Sequence, residues 1–176
     1  METVKKDYLL SGIKVIDAAS FIAGPSAATI MSDYGAEVIK IEPQNGDSLR
    51  NLITNGRMPE GPENYCWELT SRNKKSVSLN LKDEKAHKIL IDLTKEADVF
   101  ITNMPFPIRK KLKITSEDIR PHNGKLIYAS LTGYGEVGPD ADRTAYDSVA
   151  WWARSGLMDF VRPSNNSPVA WSTPGM

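Results

Sequence analysis

Apolar residues along this chain fall into short, β-branched runs separated by stretches of helical spacing or by glycine and proline. Residues 13–18 (IKVIDA) and 36–42 (AEVIKIE) read as buried strands. Between them, residues 25–35 (PSAATIMSDYG) read as a helix. Proline suits a first helical turn, where its missing N–H would be unpaired, and Gly35 suits a left-handed C-cap. Strand, helix and strand in about 30 residues make a βαβ unit, which demands parallel pairing. Residues 43–62 (PQNGDSLRNLITNGRMPEGP) read as a long irregular loop, and residues 76–81 (SVSLNL) as an alternating strand. Asp83 is placed to cap a helix in which Ala86, Ile89, Leu90, Leu93 and Ala97 share one face. Residues 99–102 (VFIT) form a strand, 116–119 a short helix with a Ser-first turn, and 126–131 (LIYASL) a further strand. A second long loop over 132–144 leads into an apolar stretch, 145–158, that reads as helical until Gly156. The four runs 13–18, 36–42, 99–102 and 126–131 are expected as the central strands of the sheet. The alternation predicts an α/β fold: an open, mostly parallel sheet with helices on both faces, Rossmann-like, forming a single domain over 1–176.

Composition narrows the function classes. Twenty-two basic residues balance 22 acidic ones, so the chain as a whole attracts neither nucleic acid nor an anionic membrane. A polyanion would have to be met by a local cluster of basic groups. The single cysteine, Cys66, excludes an internal disulfide and a cysteine-based metal framework. With the absence of a long apolar leader, it suggests a cytoplasmic protein. No run approaches the ~18–20 apolar residues needed to span a bilayer.

Basic residues cluster twice, as Arg72-Asn73-Lys74-Lys75 and as Arg109-Lys110-Lys111 with Lys113. Both lie at strand–loop junctions, where parallel sheets bind ligands, and a polyphosphorylated ligand would use both. The alternative is solvated surface charge. Residues 133–138 (GYGEVG) satisfy G-x-G-x-x-G, but Pro139, Asp140 and Asp142 follow where a dinucleotide site needs a helix. A mobile glycine-rich loop over a site is the better reading. His87 and His122 read as surface residues, and neither has a nucleophile or a metal-ligand spacing beside it. Glu42, at a strand end, reads as structural. Asp147 opens an apolar stretch expected to be buried, where a carboxylate needs a partner or a task.

Taken in order, residues 10–47 (LSGIKVIDAASFIAGPSAATIMSDYGAEVIKIEPQNGD), 69–82 (LTSRNKKSVSLNLK), 97–107 (ADVFITNMPFP) and 126–149 (LIYASLTGYGEVGPDADRTAYDSV) resemble successive motifs of one family. WWARSGLMDF (151–160) and STPGM (172–176) continue the likeness. The resemblance is to family III CoA-transferases, the group that includes formyl-CoA:oxalate and carnitine CoA-transferases. It implies coenzyme A as ligand, and an aspartate that takes an acyl group from a thioester as a mixed anhydride before CoA passes to a second acid. By position, Phe21, Ile22 and Ala23 resemble the loop that contacts CoA. Asn73, Lys74, Lys75, Asn103, Met104 and Lys111 resemble its nucleotide and pantetheine neighbours. Arg143, Tyr146 and Asp147 match the segment near the reaction centre, with Asp147 in a supporting part. No metal is implied.

Three departures from the pattern matter. Pro43 stands where some members carry an arginine near the CoA phosphates. Tyr146 stands where the related acyl-CoA racemases have a histidine base, which argues against racemisation. The family's nucleophile belongs to a Gly-Asp pair expected about two residues beyond Met176. The resemblance therefore implies the N-terminal half of the family's chain, a fold incomplete relative to the full-length members, and no catalysis by this half alone. It also implies self-association, as a homodimer or with a missing C-terminal half. The remaining readings are one subunit of a split transferase, a stand-alone CoA- or nucleotide-binding protein, and an interaction module.

Overall fold

Residues 14, 15, 16 and 17 carry the centre of the sheet, because their side chains alternate between two apolar layers. A computed structural model of the chain describes residues 8–56 and 59–169, which fall into two compact units divided at Leu131 and Thr132. In the first unit, β1 (Lys14–Asp17), β2 (Glu37–Glu42), β3 (Lys74–Ser78), β4 (Val99–Thr102) and β5 (Ile127–Ser130) form one sheet. The order is β3-β2-β1-β4-β5, with every adjacent pair parallel. Side chains alternate along a strand, so Val15, Val38 and Ile101 face one layer and Ile16, Ile41 and Phe100 the other. α1 (Ala23–Asp33) closes the first layer with Ala28, and α3 (Glu84–Lys95) closes the second with Leu90 and Ile91. This is the open parallel α/β sheet that the pattern implies.

The C-terminal end of α1 follows the expected logic. Tyr34 is the C-cap, and Gly35 follows at φ 96°, where an added Cβ would also lie 2.5 Å from that of Tyr8. Asp83 caps α3 by accepting from the Lys85 and Ala86 amides. The short helix α5 (Ser116–Ile119) is capped by Thr115, one residue earlier than the Ser-first turn suggests, through a reciprocal capping box with Asp118.

Elsewhere the structure corrects the pattern. β5 lies at an edge of the sheet, not at its centre, so Ile127 is exposed. β3 begins at Lys74, two residues before the alternating run, and forms the other edge. Two helices escaped the pattern: α2 (Tyr65–Ser71), capped by Asn64 and packed beside α1, and α4 (Phe106–Leu112), which starts from Pro105. Both are only two turns long, too short to establish a periodicity. Within the loop after β2, residues Ser48–Asn51 form an ordered 3-10 turn. On α3, Ile89 is 47% exposed, and the third buried position is Thr94.

The second unit, described to residue 169, begins with the glycine-rich loop. No helix opens at its end. Gly135 and Gly138 have positive φ, and Gly133 packs so tightly that a Cβ would collide with that of Ala145. A π-helical turn follows over Ser148–Ala153, then Gly156 at φ 82°, then α6 (Leu157–Phe160). Residues 172–176 of the family-like sequence lie outside the described residues.

Candidate functional site

At the C-terminal ends of β1 and β4 the chain leaves the sheet in two loops that are stitched together. The Asn103 amide accepts from the Ser20 N–H at 2.8 Å and donates to the Ser20 carbonyl at 2.7 Å. Phe21 follows at φ 67°, a left-handed conformation that bulky residues rarely adopt. Its N–H donates to both oxygens of Asp47, at 3.2 and 3.3 Å. Ile22 is the N-cap of α1 and no side chain caps that helix end. Pro25 has no N–H, which leaves the amides of exposed Ala23 and buried Gly24 as the first-turn donors that no side chain caps. Gly24 lets the helix begin directly over the strand end, since a Cβ there would lie 2.4 Å from that of Ala19. Phe21, Ile22, Ala23, Asn103 and Met104 are thus brought to one end of the sheet, the end at which open α/β folds take ligands.

Beneath this loop lies a group of buried charges. Lys40 is 1% exposed; its Nζ donates to the Ala19 carbonyl at 2.8 Å and pairs with Asp47 at 3.1 Å and Asp17 at 3.8 Å. Lys74 donates to Asp17 at 2.8 Å, to the Pro25 carbonyl at 2.6 Å and to the Thr70 carbonyl at 2.7 Å. Burial pushes the Lys74 ammonium below its ordinary pKa, and the Asp17 charge works against that shift. Asp47 also caps the 3-10 turn by accepting from the Leu49 amide at 3.0 Å. Next to it, Glu42 receives Arg50 through two 2.7 Å bonds, Ser76 at 2.6 Å and the Asp47 N–H at 3.0 Å. Burial opposes ionisation of Glu42, but these donors outweigh it and lower its pKa from 4.5 to about 2. The Arg50 guanidinium lies 3.6 Å over the Trp67 ring.

The two basic clusters do not present a common face to a ligand. Asn73, at φ 62°, donates to Asp33, and Arg72 pairs with the same carboxylate. Lys74 is spent inside the fold. Lys75 pairs with Glu37 at the start of β2, the end of the sheet opposite Asn103. In the second cluster Arg109 is buried and donates to the Met104 carbonyl, Ser130 Oγ and the Leu131 carbonyl. It tethers the loop after β4 to the end of β5. Lys111 remains exposed in the last turn of α4.

In the second unit Arg143 pairs with Asp140, which also holds Arg154, and the Arg154 guanidinium lies 4.8 Å over the Tyr134 ring. Tyr146 and Asp147 are exposed. The burial expected for Asp147 does not occur: it is the exposed N-cap of the π-helical turn, whose buried residue is Trp152. His87 meets the Lys113 carbonyl at 3.0 Å. Among the described residues no group of three or more His, Cys, Asp or Glu is placed to hold a metal ion, and no helix is long and apolar enough to cross a membrane.

Sequence reasoning passed over Asp17, Lys40 and Asp47. The signal was present for two of them. Asp17 interrupts IKVIDA and Lys40 interrupts AEVIKIE, and a charge within a buried strand requires a partner.

A parallel α/β sheet with a stitched, helix-starting loop at its C-terminal end is the architecture in which open α/β folds generally take ligands. The profile of CoA-transferase family III matches residues 10–176, and the chain belongs to that family. It is 40% identical to (R)-2-hydroxy-4-methylpentanoate CoA-transferase of Clostridioides difficile, over 91% of this chain and 40% of that protein. It is 41% identical to the succinyl-CoA:glutarate CoA-transferase of Homo sapiens, over 91% of this chain and 36% of that one. Its fold matches the crystal structure of Rv3272 from Mycobacterium tuberculosis with TM-score 0.81 and 32% identity, over 93% of this chain and 43% of that chain. A CAIB/BAIF family protein from Brucella suis matches with TM-score 0.75 and 31% identity, over 88% and 41%. The chain spans about two fifths of the length of these relatives.

Proposed function

We propose that this chain is the CoA-binding, N-terminal portion of a family III CoA-transferase, which moves CoA between an acyl-CoA and a carboxylic acid through an aspartyl anhydride. The observation that carries the reading is the stitched loop Ser20–Phe21–Ile22–Ala23 beside Asn103 and Met104, at the end of the sheet that takes ligands. Uncapped amides at the start of α1 and the exposed Lys111 offer charge-assisted hydrogen bonds to phosphates, each worth roughly 1.5–3 kcal/mol. Lys74 holds the first turn of α1 through the Pro25 carbonyl. Arg143, Tyr146 and Asp147 belong, in this reading, to the neighbourhood of the transferred group. No carboxylate of this chain occupies the nucleophile's position in the family pattern, so the isolated chain binds CoA and transfers nothing.

Calorimetry with CoA is expected to show binding that weakens as salt rises, and an acyl-exchange assay to show no turnover. Absence of any CoA binding would remove the reading. Turnover by the pure chain that disappears in Asp147→Ala would place the chemistry on Asp147 instead. Self-association as a homodimer belongs to the same proposal. Val149, Trp151 (53% exposed) and Phe160 present apolar surface in the second unit. Light scattering is expected to give a mass above the monomer at high concentration; a monomer throughout would refute it.

A further inference from the structure

We infer that Asp47 is the positioning residue of the ligand loop, and that CoA affinity depends on its carboxylate although it touches no ligand. Its side chain is 3% exposed, beyond the reach of a bound molecule. Its influence passes through three consecutive residues of the loop after β1. Lys40, paired with Asp47, holds the Ala19 carbonyl; Asn103 holds both backbone groups of Ser20; Asp47 itself holds the Phe21 N–H. Phe21 sits at φ 67°, a conformation that persists only where surrounding contacts dictate it. The Asp47 carboxylate is such a contact, and it acts at the residue immediately before the N-cap of α1. Without it the loop can relax toward ordinary φ values, carrying Ile22 and the first-turn amides away from the position in which they meet an anion. The carboxylate is fixed in turn by Lys40 and by the Leu49 amide, and the Asp47 backbone by Glu42. The loop after β2 therefore sets the shape of the loop after β1.

This inference rests on the proposed CoA-binding function, and its test separates the two. Asp47→Asn keeps Oδ1, which accepts from both the Leu49 and the Phe21 N–H, replaces the second oxygen by an amide NH2 and removes the charge that pairs with Lys40, so the bond to Phe21 survives only as a neutral one. Weakening of this bond from charge-assisted to neutral predicts that the Phe21 amide exchanges its hydrogen about tenfold faster, and that CoA affinity falls by a similar factor. The Val15 and Ile101 amides in the sheet should keep their protection. In the F21G background the affinity loss caused by D47N should shrink, because glycine adopts the left-handed conformation without steric cost. A merely structural role predicts the same loss in both backgrounds. Should D47N fail to fold, F21G with Asp47 intact carries the test: the amide at position 21 must stay protected, and exchange at the rate of an open loop overturns the clamp. Unchanged affinity in a folded D47N chain overturns this inference alone. A wild-type chain that takes up no CoA overturns the functional reading beneath it.

Discussion

Replacing Lys40 with methionine is expected to destabilise the chain by about 3–5 kcal/mol, the cost of leaving a buried charge without its partner. Methionine matches the length of the lysine stem, so the lost packing is small. What remains is Asp47, buried and deprived of its cation, and an Ala19 carbonyl deprived of its donor. Asp17 retains Lys74, which should keep the loss below the upper end of that range. Urea unfolding at neutral pH gives the number directly. The contrast is Lys75→Met, whose exposed pair with Glu37 should be worth about 0–1 kcal/mol. Similar small losses at both positions would mean that the buried pairs add nothing to the fold.

Acid should remove a second contribution, centred on Glu42. Its folded pKa of about 2 lies below the ordinary 4.5, so its stabilising effect is complete above pH 4.5 and disappears as pH falls through 2. The unfolded chain takes up the proton first, and stability falls in that window. The shift corresponds to on the order of 2 kcal/mol once discounted for the 38% exposure of the Arg50 side chain. Unfolding free energies measured between pH 6 and pH 2 should show the fall in the wild-type chain and a shallower one in Glu42→Gln. Parallel curves for the two chains would assign the acid sensitivity to other carboxylates.

Both effects arise from charges whose surroundings are remote in sequence, and this marks where sequence reading succeeded and where it stopped. The runs IKVIDA, AEVIKIE, VFIT and LIYASL were legible as strands because β-branched, apolar composition acts on the local backbone. The parallel pairing followed from the length of the connections between them. Asp83 and Gly35 were legible as helix caps because capping involves only neighbours within four residues. The loop Phe21–Ala23 with Asn103 and Met104 was legible only through the family resemblance, and the structure brings these residues together.

What tertiary structure decided is which side of the fold each charge occupies. Arg72 to Lys75 and Arg109 to Lys113 look alike as basic runs. Yet Lys74 turns inward to Asp17, 57 residues away in sequence, Arg109 is buried against Met104 and Leu131, and Lys75 points to the far end of the sheet. The same holds for Ile127, apolar but exposed, since an edge strand has a neighbour on one side only. A strand's tendency to form is a property of its own residues. Its position in the sheet, and the partner its charges find there, depend on how strands separated by dozens of residues are ordered, because burial and ion pairing are energies of neighbours in space.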